Sequence, residues 1–214
     1  LGQATKLSEM LIDKDKTYRC VMLLGKTTDT EDVTGKVLTE TADIPDDASV
    51  IEAVNSFIGT YGQIPPMYSA IKVNGKKLYE YARQGIEIER SPREVTIFEV
   101  KIEDVSLPRV TFTIHCSKGT FIRSLCRDIG EKLGCGGMMT SLERSYSGGV
   151  DIKDCYTIEE IAEICEQDKL SQMLIPLDRA FVSYEKTTLG QWETKLYRNG
   201  VKLRPEQTGI KDLS

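Results

Sequence analysis

The sequence predicts an α+β fold: a mixed, largely antiparallel sheet flanked by helices. Strand-type runs at 18–24, 95–102 and 110–115 carry β-branched and aromatic residues with period-two alternation. The last two are separated only by a loop containing Pro108, which suits an antiparallel hairpin. Neighbouring strands are joined by loops, and helix-period segments do not recur between every pair, so a repeated βαβ chain is disfavoured.

Taken in order, residues 1–12 have the pattern of a helix ending on Leu11 and Ile12, and strand 18–24 follows. Gly25 opens a polar loop over 26–35, and a second strand is expected near 36–41. Asp47 is the expected cap of a helix carrying Val50, Ile51, Val54, Phe57 and Ile58, stopped by Gly59. Pro65-Pro66 breaks any helix, Asn74-Gly75 predicts a tight turn, and a short helix over 77–84 stops at Gly85. Beyond the hairpin, Ile122, Leu125, Cys126, Ile129 and Leu133 recur at helical spacing up to Gly134. Thr157 and Glu160 form a capping-box pattern before a helix expected to reach about residue 173.

Composition excludes several function classes. The 214 residues are 40% hydrophobic and 29% charged, and no apolar run approaches the length of a membrane-spanning helix. A cytoplasmic address is expected. Six cysteines without a Cys-x-x-Cys pair, beside a single histidine, argue against a zinc site and against a histidine-served nucleophile. The thiols are expected to be structural and buried, and no metal or cofactor is expected.

The net charge of -5 argues, as a total, against nucleic acid. Its distribution argues the other way. Between Pro66 and Gln84, Lys72, Lys76, Lys77 and Arg83 face only Glu80, a local net of +3, with Tyr68, Tyr79 and Tyr81 interleaved. Such a segment can meet both phosphates and bases. Composition alone leaves the alternative of a solvated helix and turn with a few lysines.

The most informative stretch is His115-Cys-Ser-Lys-Gly-Thr-Phe-Ile-Arg123, where a strand turns sharply into a helix. With Thr120 as the expected N-cap, Arg123 falls at the third helical position, where the macrodipole disfavours a cation. A carboxylate must therefore face Arg123.

Cys116-Ser-Lys-Gly-Thr-Phe-Ile-Arg-Ser-Leu125 with Asp128-Ile-Gly130 resembles the signature of the bacterial tRNA pseudouridine synthase B family. Leu1-Gly-Gln-Ala-Thr-Lys6, Asp15-Lys-Thr-Tyr-Arg19, the run Gln63 to Gly85, and Leu142-Glu-Arg-Ser-Tyr-Ser-Gly148 resemble it in the same order. Phe121 stands where the family often has tyrosine, and Val150 where an aromatic residue follows the glycine.

The resemblance implies isomerisation of a uridine in the tRNA T loop to pseudouridine by base flipping, without cofactor or metal. It implies catalytic roles for Tyr18, Arg123 and Leu142: Tyr18 stacks on the base, Arg123 pairs with the catalytic aspartate, and Leu142 closes the pocket. It places Lys6, Tyr68, Lys72, Lys76, Lys77, Tyr81, Arg83, Lys118 and Arg144 against RNA, with the tRNA T stem-loop as partner and a monomer as the expected state. Residues 1–182 would form the catalytic domain, with a thumb insertion at about 64–94. Residues 183–214 would begin a C-terminal RNA-binding subdomain.

The family's nucleophile is an aspartate in a Gly-His-x-Gly-x-Leu-Asp-Pro motif that residues 1–214 do not contain. Asp29 and Asp32 lie in a polar loop that offers no reason to promote them. The nucleophile is thus expected upstream of Leu1, in a longer parent of which this chain is a fragment. The partner of Arg123 is expected there too, so Arg123→Ala should be nearly neutral in this chain. Two alternatives stand beside the enzyme: a non-catalytic module that binds or folds the T loop, and a guide-RNA-dependent synthase subunit.

Overall fold

A computed structural model describes residues 5–6, 14–176, 181 and 185–209. The helix expected over 1–12 lies outside them except for a 3-10 turn at 5–6. The chain divides into two compact units, one ending at Glu163 and one beginning at Ile164.

The first unit is built on a six-stranded sheet in the order β10-β9-β1-β8-β7-β4. Its strands are β1 (Lys16–Leu24), β4 (Gly59–Gln63), β7 (Arg93–Ser106), β8 (Arg109–Cys116), β9 (Gly137–Ser147) and β10 (Val150–Asp151). Every ladder in it is antiparallel. The parallel element is an isolated bridge between Asp32 and Met139. The expected hairpin is β7 and β8, joined through Leu107 and Pro108. Alternation along β1 and β8 turns Cys20, Met22, Leu24, Val110, Phe112, Ile114 and Cys116 to one face, where all are buried. Burying a side chain such as Phe112 contributes about 1.5–3 kcal/mol.

Two helices cover that face. α1 (Asp47–Asn55) buries Val50, Ala53 and Val54, and its N-cap is Asp46 rather than the expected Asp47, since the Asp46 carboxylate accepts from the Ser49 N–H at 2.8 Å. α1 stops at Ser56, and Gly59 opens β4, a strand that its two glycines and lack of apolar alternation conceal. The longer cover, Ile122–Leu133, buries Ile122, Leu125, Cys126 and Ile129 and ends on Gly134 in the left-handed conformation. Gly130 permits its close seat on β9: a Cβ there would lie 2.1 Å from the Gly137 nitrogen.

The start of this helix differs from expectation. Its N-cap is Phe121, which places Arg123 at the second helical position. Thr120 lies one residue before the cap, and its hydroxyl turns back to donate to the Ser117 carbonyl at 2.9 Å. Gln63 of β4 supplies the missing cap across the fold: its Oε1 accepts the Phe121 N–H at 2.8 Å and its Nε2 donates to the Phe121 carbonyl at 3.1 Å.

Two smaller sheets leave the main one. β2 (Lys26–Thr28) pairs with β3 (Val37–Glu40) around the polar loop. β5 (Lys72–Val73) pairs with β6 (Lys76–Lys77) around Asn74 and Gly75, both at positive φ as a type I′ turn requires. In chain order the helix after β6 is α2 (Leu78–Ala82), anchored by the buried Leu78, and the helix at Ile122–Leu133 is α3.

The capping box at Thr157 and Glu160 forms as expected, with bonds of 2.7 and 3.2 Å. Its helix, α4 (Ile158–Glu166), is shorter than the expected reach to 173. The chain leaves it through Asp168 at a φ of 55°, and a 3-10 turn at Leu170–Gln172 follows. In the second unit, α5 (Gln191–Arg198) and α6 (Pro205–Thr208) lie where no helix was expected. Cysteines 20, 116, 126 and 135 are buried, but Cys155 and Cys165 are exposed, contrary to the expectation for all six.

Candidate functional site

Three of the expected site residues share one face of the sheet. Tyr18 on β1 lies opposite Arg144 on β9, and two residues along, Cys20 lies opposite Leu142. Directly opposed residues point to the same side, so Tyr18, Leu142 and Arg144 join the face that α3 covers further along. Contact between Cys20 and Cys126 sulfurs at 3.6 Å marks that cover. Tyr18 is half-buried against the core, and burial raises its phenol pKa above the ordinary value, with Cys116 adding to the effect and Arg144 opposing it. Part of the Tyr18 ring remains exposed. Leu142 is 40% exposed, which is not the environment of a core leucine.

Arg123 does have a carboxylate partner in this chain, which overturns the expectation that none exists. Its Nη1 donates to Asp32 Oδ2 at 3.1 Å and to the Thr30 carbonyl at 3.2 Å, and its Nη2 donates to the Tyr68 carbonyl at 2.9 Å. Asp32 is fixed in turn. Its Oδ1 accepts from Thr30 Oγ1 at 2.8 Å, from the Thr34 N–H at 2.9 Å and from the Thr34 hydroxyl. Burial disfavours its charge, but the bonds from Thr34 and Thr30 and the attraction of Arg123 outweigh it and hold the pKa below the usual value. Both oxygens are occupied by donors. That suits a group that orients Arg123 and is a poor environment for an attacking nucleophile.

Behind this pair lies a cluster that the sequence did not announce. Glu31 is buried, accepts from Ser124 Oγ at 2.6 Å and pairs with Arg127. Arg127 also donates to Asp128 at 2.6 Å and to the Ile64 carbonyl at 3.0 Å. Gln63 donates to the Tyr61 hydroxyl at 2.6 Å, and that hydroxyl approaches Asp128 at 3.4 Å. Burial raises the pKa of both Glu31 and Asp128 from the ordinary value, Arg127 offsetting part of the shift in each. The available signal was the spacing of Arg123 and Arg127, four apart on one helix face, against adjacent Glu31 and Asp32.

The residues of the expected thumb gather separately. Lys76 lies 4.7 Å from the Tyr81 ring centroid, while Lys77 and Arg83 approach the Tyr79 ring at 5.5 and 5.1 Å. Lys72 sits exposed at the hairpin. Tyr68 stands apart from them at the thumb base, bonded through its carbonyl to Arg123 and lining a cleft of about 590 Å³ with Ile64, Met67, Arg127 and Asp128. Lys118 is exposed in the turn before α3, and Lys6 is exposed in the short described turn near the start. Among the described residues no contact links Lys6 to the others.

Among the described residues no cluster of His, Cys, Asp and Glu is placed to hold a metal ion, and no helix is long and apolar enough to cross a membrane.

This arrangement has relatives. Residues 1–122 match the model of the TruB family pseudouridylate synthase N-terminal domain, and residues 123–182 match the tRNA pseudouridylate synthase B C-terminal domain. A tRNA pseudouridine synthase B of Alkaliphilus oremlandii is 46% identical over 205 residues, covering 95% of this chain and 67% of that protein. One from Clostridium tetani is 42% identical over 213 residues, covering 97% of this chain and 71% of that protein. Among solved structures, a chain of a Cbf5-Nop10-Gar1 complex superposes with a TM-score of 0.63 at 23% identity, and the match spans 84% of this chain but 47% of that one. A chain of an H/ACA RNP bound to a substrate RNA gives 0.59 at 19% identity, with 84% of this chain and 45% of that one covered. These two likenesses concern the fold. The chain belongs to the TruB family of pseudouridylate synthases.

Proposed function

We propose that the chain forms the body of a tRNA pseudouridine synthase that isomerises a uridine in the T loop, acting as a cytoplasmic monomer without metal or cofactor. The observation that carries this reading is the shared sheet face bearing Tyr18, Leu142 and Arg144, flanked by an arginine held in a fixed pose by Asp32. A uridine flipped out of its loop loses its stacking neighbours, and the half-buried Tyr18 ring replaces one of them. Leu142 offers an apolar edge over the same base, and Arg144 and Lys118 present charge to adjacent phosphates. Arg123 orients the attacking carboxylate. That carboxylate is expected from the Gly-His-x-Gly-x-Leu-Asp-Pro segment of the complete protein, because Asp32 is already saturated by its own donors.

The thumb supplies affinity, since its cations are exposed or lie over tyrosine rings and remain available to phosphate. Basic, aromatic-rich contact inside the chain favours a stand-alone enzyme over a subunit that relies on a guide RNA. Incubating the complete protein with an unmodified tRNA transcript, followed by carbodiimide primer extension, tests the reading. A stop at one T-loop uridine is expected from the complete protein and none from residues 1–214 alone. Conversion by residues 1–214 would show that the nucleophile lies within them, and no conversion by the complete protein would refute the activity.

A further inference from the structure

Helix α3 carries Arg123 and Arg127 four residues apart, and the loop between β2 and β3 carries Glu31 and Asp32 side by side. They meet as two parallel rungs. Arg123 joins Asp32 to the Tyr68 carbonyl, and Arg127 joins Glu31 to the Ile64 carbonyl. Each arginine thus bridges a carboxylate of the loop to a main-chain oxygen at the base of the thumb. The second rung touches none of the residues assigned to the base or the phosphates.

We propose that Glu31 and Arg127 are a positioning pair for the Arg123–Asp32 site, fixing the loop and the thumb base on α3 so that Arg123 has one pose. The proposal rests on the reading of Arg123 as the site arginine.

Several features of Glu31 support it. Its backbone is left-handed, with a φ of 64°, a conformation costly for any residue with a Cβ. Its carbonyl accepts from the Met139 N–H at 3.0 Å, so this strained residue is where the loop docks on β9. Its side chain is held by Ser124 and Arg127 at separate oxygens. Burial nevertheless leaves its pKa raised, so the ionised carboxylate is poorly explained as a source of stability. Its consequence is geometric: with Glu31 locked, Asp32 has little freedom.

The amide of Thr34 reports that geometry, because it donates to Asp32 Oδ1 at 2.9 Å. Hydrogen exchange at Thr34 is measured in the complete protein for Glu31→Gln and Glu31→Gly, with the Val50 amide of α1 as the remote control. Glutamine keeps the shape but offers one acceptor oxygen to two donors, and glycine relieves the backbone while deleting both contacts. Exchange at Thr34 should quicken about tenfold in both variants while Val50 is unchanged. The single-turnover rate on saturating tRNA should fall about tenfold with tRNA affinity within about twofold, the split expected when positioning and not binding is lost.

Glycine removes the backbone strain at position 31, which offsets part of the loss of both contacts, so Glu31→Gly carries the comparison where Glu31→Gln is unstable. Unchanged protection of Thr34 in a folded variant overturns the proposal. So does faster exchange without loss of rate. If the unmutated complete protein makes no pseudouridine, the proposed function fails by itself, and exchange at Thr34 still decides whether Glu31 holds Asp32.

Discussion

The loop between β2 and β3 and the thumb are both polar excursions from the same sheet, yet their charges are used in opposite ways. In the loop, Asp32 and Glu31 each face a particular arginine of α3, and Asp29 accepts the Lys36 N–H at 2.7 Å. In the thumb, Lys72, Lys76, Lys77 and Arg83 form no ion pair among the described residues, and three of the four lie against aromatic rings. Buried charge must be paired at home, whereas exposed charge left without a carboxylate is available to a polyanion. The acidic total of the chain therefore describes neither region.

Substitutions can break this contrast. The largest effect is expected at Arg123: in the complete protein Arg123→Ala should lower the single-turnover rate about a hundredfold or more, since misplacing a reacting group by an ångström costs that much. Arg123→Lys should recover little, because one ammonium cannot serve Asp32 and two carbonyls with the geometry of a planar fork. Tyr18→Ala comes next. Losing a stacking partner worth about 1–3 kcal/mol should slow turnover by about 5- to 150-fold while filter binding changes only about threefold or less. Near-normal turnover would return Tyr18 to core packing.

The thumb should respond in the other currency. Replacing Lys72, Lys76 and Lys77 by alanine should shift the denaturant midpoint by the equivalent of about 0.5 kcal/mol or less. The slope of log affinity against log salt should meanwhile flatten by about 2. An unchanged slope would place the RNA on another face.

A smaller effect separates the loop's own carboxylates by pH. Asp32 has a depressed pKa, so its contribution is fully present above the unfolded value of about 3.9 and is lost as pH falls through the folded value. Glu31 has a raised pKa and works with the opposite sign, gaining stability as pH falls toward its unfolded value of about 4.3. Asp32→Asn should therefore flatten the acid decline of the denaturant midpoint below about pH 4, and Glu31→Gln should not.

How far each region was legible from sequence follows the same division. Period-two alternation revealed β1, β7 and β8, and the apolar spacing from Ile122 to Leu133 revealed α3, because burial writes a local pattern. The thumb was visible as four cations among tyrosines with an Asn-Gly turn. β4 was hidden, since its sequence, with two glycines in five residues, lacks an apolar face and its importance lies in Gln63 reaching the start of α3. Thr120 fitted the local rule for a cap, and the tertiary bond from Gln63 displaced it. Asp32 and Glu31 were passed over because a carboxylate in a polar loop is ordinary until the fold brings an arginine from 91 or 96 residues away. The demand that something acidic face Arg123 was local physics; which residue met it was topology.

The central claim is that Asp32, within this chain, is what makes Arg123 tolerable at the start of α3. A double-mutant cycle on residues 1–214 with Arg123→Ala and Asp32→Asn, read by denaturant midpoints, tests it most directly. Each single change should destabilise, and the pair should show a coupling of about 1–3 kcal/mol. Effects that add within about 0.5 kcal/mol would contradict the account, because the Asp32 contact would then not be what stabilises Arg123 at that position.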